Sequence, residues 1–176
     1  MTTCPICGAV IPDGQSYCPA CGARPDDLPM RWHKALVYVI LWLSMISNFI
    51  TGIRYLSGAA YVEASIDFSK QVYGLFPALA VLDKCYGVAC LALVALLLYT
   101  WFGLRGFKRG AWVLPAVLYI VAAGISLVYA VVFLSIAHTQ LDPNAIAGVI
   151  VSLVLSGAMA AVNYIYYKKR EKYFVN

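Results

Sequence analysis

Four long apolar runs constrain this chain more than any other feature. They lie at about 35–55, 78–103, 111–137 and 145–167, and none carries a charged side chain near its middle. A helix needs about 20 mainly apolar residues to cross the hydrocarbon core of a bilayer. Helices also satisfy their own backbone, as that medium demands. A soluble core is excluded by surface area. Of 176 residues, 62% are hydrophobic and 12% charged, against ~45–50% apolar and ~25% charged in an ordinary soluble domain. A fold this small has too much exterior to hide that excess. The expected fold class is an all-α transmembrane four-helix bundle over 35–167, with a small N-terminal β-hairpin zinc ribbon ahead of it.

Lys and Arg in short loops set the orientation of such a bundle. Arg24, Arg31 and Lys34 precede the first span. Arg105, Lys108 and Arg109 separate the second from the third, and Lys168, Lys169, Arg170 and Lys172 follow the fourth. The other side holds only Arg54, Lys70 and Lys84, with Glu63, Asp67, Asp83 and Asp142. Ten cations against three place both termini in the cytoplasm, with 168–176 as a basic cytoplasmic tail. Trp32, Trp101, Trp112, Tyr166 and Tyr167 fall at the same span ends, where amphipathic rings anchor. No secretory signal peptide is expected. The first thirty residues hold cysteine pairs, Pro and Asp where a signal needs an apolar run.

Residues 1–24 carry the chemistry. Cys4-Pro5-Ile6-Cys7-Gly8 and Cys18-Pro19-Ala20-Cys21-Gly22 are two copies of one knuckle. Two thiolates two residues apart grip one metal, and the following Gly permits the positive φ of a sharp turn. Two knuckles complete a four-sulfur shell. Cys4, Cys7, Cys18 and Cys21 are therefore expected to hold one structural Zn2+ per chain. Iron in a rubredoxin-like site uses similar knuckles, because four sulfurs also suit iron. Disulfides fit poorly with a reducing compartment, and thioredoxin-like chemistry needs a βαβ setting. Pro12-Asp13-Gly14 signals a turn, read as the tip of a hairpin that brings the second knuckle back onto the first. Residues 25–34 form a linker and interfacial segment. The eight residues from Ala23 to Met30 span at most ~29 Å when extended, which keeps the ribbon close to the membrane face. Cys85 and Cys90 lie in an apolar run, and buried free cysteine packs like a small hydrophobe.

The remaining motifs are weaker. The loop at 57–76 is expected to pack on the outer end of the bundle, and Pro77 suits the first turn of a helix running on through Asp83 and Lys84. Gly148, Ser152, Ser156 and Ala160 recur every four residues, a pattern that permits close helix approach. Internal bundle packing is favoured over a homodimer seam. Ser44, Ser47, Asn48 and Thr51 line a polar path or, more in keeping with their type, hydrogen-bond between helices. His33 reads as an interfacial residue. His138 lies four residues before Asp142 with no third ligand apparent. No nucleophile–base pair or paired carboxylate falls at membrane depth, and no glycine-rich nucleotide loop occurs. No catalytic or cofactor-binding residue is assigned, and no enzymatic activity is expected.

With its Cys-Pro-x-Cys-Gly knuckles at Cys4, Cys7, Gly8, Cys18, Cys21 and Gly22, the chain resembles a group of small bacterial multi-pass membrane proteins described by their zinc-ribbon domain. Over the spans the likeness is architectural, carried by Leu82-Asp83-Lys84-Cys85-Tyr86-Gly87 and by Arg105-Gly106-Phe107-Lys108-Arg109. The resemblance implies a bacterial cytoplasmic membrane and no particular activity. The expected role is a membrane-anchored adaptor or regulator that presents the ribbon to a cytoplasmic protein. Its partners are membrane lipid and that protein, with a homo-oligomer also compatible. Nucleic acid is disfavoured because the ribbon sets only Arg24 against Asp13, and phosphate contacts need several cations. The alternative is an oligomeric small-molecule or ion permeation unit with the ribbon as assembly or gating domain.

Overall fold

The computed structural model describes residues 2–4, 7–15, 17–22, 30–63, 66–137 and 143–174. The linker residues 23–29 and the His138–Asp142 pair lie outside the described residues. The chain divides into two units, Met1–Trp42 and Leu43–Asn176.

In the first unit, β1 (Thr2–Thr3) pairs antiparallel with β2 (Val10–Ile11), Thr2 opposite Ile11 and Thr3 opposite Val10. The turn expected at Pro12-Asp13-Gly14 forms. Gln15 N–H donates to the Pro12 carbonyl at 3.2 Å and Gly14 takes φ 87°. The strand pairing differs from the sequence reading, because β2 pairs across the first knuckle instead of across this turn. Gln15 to Tyr17 lead directly into Cys18, too few residues for a strand and a knuckle entry together.

Helix α1 (Arg31–Leu56) starts in the first unit and ends in the second. It opens as a short α segment, widens into a π turn at Leu36–Ile40 and continues as an α-helix. Two short antiparallel strands, β3 (Val62–Glu63) and β4 (Ile66–Asp67), precede α2 (Ser69–Leu75). Pro77 then opens α3 (Pro77–Arg105), where its missing N–H costs nothing. A 3-10 turn at Ala111–Val113 leads into α4 (Leu114–Ala137), and α5 (Pro143–Lys168) is followed by a second 3-10 turn at Glu171–Tyr173. Four of these helices are long and apolar enough to cross a membrane.

Within the second unit, α1 and α3 meet at two glycines. A Cβ on Gly87 would stand 2.9 Å from Leu56 Cγ and 3.0 Å from the Gly52 carbonyl. A Cβ on Gly52 would stand 2.9 Å from Leu91 Cδ2. Backbone approach of this kind is what small residues provide between helices in lipid. The stripe on α5 behaves otherwise. Ala160 is buried, Ser156 is half-buried, and Gly148 and Ser152 are exposed. A Cβ on Gly148 would touch nothing within 4 Å. A cleft of about 340 Å³ is lined by Ala122 and Ser126 of α4 and by Gly148 and Ser152 of α5, among others.

Polar side chains along the helices mostly bond to their own backbone. Asn48 donates to the Ser44 carbonyl, Thr100 to Leu96 and Asn163 to Met159, each at 2.8 Å. For Asn48 the bond stays within its own helix, where a carbonyl one turn back is a near acceptor in a medium without water. At the ends carrying Arg105 and Lys168, cations stack on rings. Arg105 lies 5.0 Å from the Trp101 centroid, Lys168 4.9 Å from Trp112 and Arg170 3.7 Å from Tyr166. Phe174 packs between Phe107 and Tyr167 at 5.4 and 5.7 Å, so the tail folds back against this aromatic floor.

Candidate metal centre

The backbone treats the two knuckles alike. Gly8 N–H donates to the Cys4 carbonyl at 2.9 Å, and Gly22 N–H to the Cys18 carbonyl at 2.8 Å. Gly8 takes φ 80° and Gly22 φ 71°. Nothing lies within 4 Å of a Cβ added to either. Glycine is required there by conformation and not by space. Cys4 N–H also donates to the Ala9 carbonyl at 2.8 Å, which closes the first knuckle onto the strand that follows.

These turns bring the Sγ atoms of Cys4, Cys7, Cys18 and Cys21 within 4.8 Å of one another. Cys4 and Cys21 are 3.5 Å apart, and Cys7 and Cys18 are 3.6 Å apart. A tetrahedral site with ~2.3 Å metal–sulfur bonds has sulfur–sulfur edges of ~3.8 Å. The spacing suits a metal shared by four thiolates, and all four cysteines are free of disulfides. Cys4 and Cys18 are buried with Ile11, while Cys7 and Cys21 face outward. One sulfur of each knuckle thus belongs to the small core. Four sulfurs leave no open position for a water or substrate, so the site is suited to structure and not to metal catalysis.

A second cluster was not assigned from the sequence. Asp83, in the first two turns of α3, is fully buried. Tyr73 on α2 donates to its Oδ2 at 3.0 Å, and Tyr129 on α4 donates to its Oδ1 at 2.8 Å. Tyr86 packs on Tyr129 with ring centroids 4.3 Å apart, Tyr55 packs edge-on to Tyr86 at 4.9 Å, and Tyr61 sits 5.6 Å from Tyr73. The Tyr61 hydroxyl is buried without a well-formed hydrogen bond. Burial, then the Asp83 charge, pushes the Tyr61 phenol from 10.0 up to about 12. Burial also raises Tyr73, followed by its hydrogen bond to Asp83. Asp83 occupies the buried stripe Leu79, Asp83, Gly87, Cys90, Leu97 and Leu104, and a carboxylate on such a stripe must find donors. Cys90 is buried as expected, whereas Cys85 is exposed on the helix surface.

A zinc-ribbon domain model matches residues 3–24, from β1 through the second knuckle. That match covers the metal centre and leaves the helices unassigned. No curated protein and no solved structure matches the chain.

Proposed function

We propose that this chain is a membrane-anchored adaptor in which a zinc-held ribbon presents a protein-binding face beside the membrane. The observation that carries the reading is the pairing of a four-sulfur ribbon with four apolar helices. Zinc is the resident metal in this reading, one ion per chain, held by Cys4, Cys7, Cys18 and Cys21 and serving structure. The membrane is the bacterial cytoplasmic membrane, with both termini in the cytoplasm, as the ten-to-three distribution of cations supports. Val10 and Tyr17 are more than half exposed on a ribbon with little net charge. Exposed apolar side chains on a fold that small suit a protein partner better than a phosphate backbone.

The test is cross-linked co-purification from native membranes. Wild type is compared with a Cys4→Ser, Cys7→Ser variant and with a Val10→Ser, Tyr17→Ser variant. A partner held by wild type and lost from both variants supports the adaptor. An unchanged set of captured proteins removes it.

One observation favours the permeation reading as a second choice. The apolar windows of α4 and α5 are only 6% and 11% buried within one chain, which leaves ample surface for packing between copies. Flux in liposomes with a fixed oligomer by cross-linking supports it; a monomer without flux opposes it.

A further inference from the structure

Buried in the second unit, the Asp83 carboxylate accepts hydrogen bonds from two phenols, and among the described residues no cationic side chain pairs with it. Lys84, its neighbour in sequence, is exposed and makes no ion pair with it. Two hydroxyl donors satisfy the oxygens without cancelling the charge. In lipid or protein interior such a charge is costly, and its field reaches the nearest polarisable groups with little screening.

Those groups are tyrosine rings. Tyr55, Tyr61, Tyr86 and Tyr129 line one side of a cleft of about 690 Å³. The rest of its lining is mainly apolar, including Phe133, Leu134 and Val149, with the hydroxyl-bearing Ser126 among it. The volume falls within the ~300–1,000 Å³ of small-molecule sites. Tyr129 faces both environments: its ring lines the cleft, and its hydroxyl donates to Asp83. Donation to a carboxylate enriches the ring in electron density, which strengthens its attraction for a cation over its face. An anion is repelled by the same field, and a neutral molecule gains nothing from it.

We propose that this tyrosine-lined cleft binds a lipophilic organic cation, with its charged centre against the rings of Tyr55, Tyr61, Tyr86 and Tyr129 in front of the buried Asp83 and its apolar groups along Leu134 and Val149. Such a cation is either the choline-type headgroup of a lipid or a free amphiphilic amine or onium ion; the chemistry of recognition is the same. Asp83 is a positioning residue here. It does not line the cleft but orients Tyr129 and supplies the field. This site is independent of the ribbon and of the adaptor reading.

Binding of radiolabelled tetraphenylphosphonium to the full chain in neutral maltoside micelles tests the proposal. Wild type is expected to bind it saturably, and Asp83→Asn, which keeps the shape and one of the two acceptor oxygens, to bind at least roughly tenfold more weakly. Uncharged triphenylphosphine oxide should bind the two proteins equally. Tyr86→Leu, which removes a ring from the cleft without touching a bond to Asp83, should also weaken the cation. Monodisperse elution and a cooperative thermal transition well above the assay temperature report folding. If Asp83→Asn does not fold, the Tyr86→Leu result decides. Displacement by lysophosphatidylcholine but not lysophosphatidylglycerol identifies a lipid headgroup as the ligand; no displacement by either identifies a free cation. The proposal is overturned if wild type fails to bind the cation, if folded Asp83→Asn binds it as tightly, if, with Asp83→Asn unfolded, Tyr86→Leu binds it as tightly as wild type, or if the neutral analogue matches it in wild type.

Discussion

Glycine and aspartate give the sharpest consequences of single residues. Gly8 and Gly22 hold φ near 80° and 71° in open space, so alanine there meets no clash, only the left-handed penalty of about 1–2 kcal/mol. Gly8→Ala is expected to weaken metal retention measurably in competition with a chelator, while Gly74→Ala, at an ordinary helical position with equally open space, leaves it unchanged. For Asp83 the expected effect depends on what replaces it. Alanine strands the hydroxyls of Tyr73 and Tyr129, each worth about 1–3 kcal/mol when buried unpaired. Asparagine keeps an acceptor for one of them. Thermal unfolding in detergent should therefore rank wild type above Asp83→Asn and Asp83→Asn above Asp83→Ala. Equal midpoints for the two variants would mean that the phenols find other partners. The same cluster responds to alkali. Raised phenols favour the folded state fully below their ordinary value of 10.0, and the benefit of Tyr61 disappears as pH rises through about 12. Absorbance at 295 nm should show a late-ionising tyrosine fraction that ionises earlier, though still above the ordinary value, when Asp83 is replaced by Asn, because burial is the larger cause of the shift.

At the scale of elements, the contact between α1 and α3 is the most restrictive. Gly52 and Gly87 bring backbone against backbone, with the Gly52 carbonyl 3.0 Å from where a Gly87 Cβ would be. Gly87→Val puts two further carbons into that space. It should separate the helices, cost about 1–3 kcal/mol as overpacking does, and raise protease sensitivity in the 57–76 loop. Gly157→Val, in open space on α5, should have little effect. Helix existence was legible because apolar runs of this length have only one solution in lipid. Helix pairing was not. Small residues at four-residue spacing mark α5, yet the tight crossing uses Gly52 and Gly87, neither of which has a second glycine four residues away. A spacing rule describes one surface, whereas a crossing depends on two. Asp83 escaped notice for a related reason. Beside Lys84 at the start of a span it reads as an interfacial pair, and only packing shows that one is buried and the other exposed. The knuckles were readable residue by residue because their geometry is local, while the strand partner of Val10–Ile11 was misplaced because either flank of β2 offered a candidate.

For the molecule as a whole, the ribbon and the helices are each stabilised by a different physical term. The helices rely on backbone bonds satisfied within each span and on packing in lipid, neither of which involves sulfur. In the ribbon the buried core consists of Cys4, Ile11 and Cys18. Burying one aliphatic side chain contributes roughly 1.5–3 kcal/mol, far short of the roughly 1–2 kcal/mol per residue lost in ordering some twenty residues. Structural zinc contributes roughly 10–16 kcal/mol in comparable peptides, several times what the small core supplies. Chelation should therefore unfold residues 1–24 and spare the helices. In a strong chelator at neutral pH, limited proteolysis should cut between Thr2 and Gly22 while far-UV circular dichroism retains its helical signal and the thermal midpoint of the helices stays put. Cys18→Ser should reproduce the cutting without any chelator, because one of the two buried sulfurs is lost. A ribbon that resists protease after complete metal removal would show that the hairpin and Ile11 suffice. A helical midpoint that falls with the metal would show instead that the two units stabilise each other, and would make the ribbon a reporter on the state of the bundle.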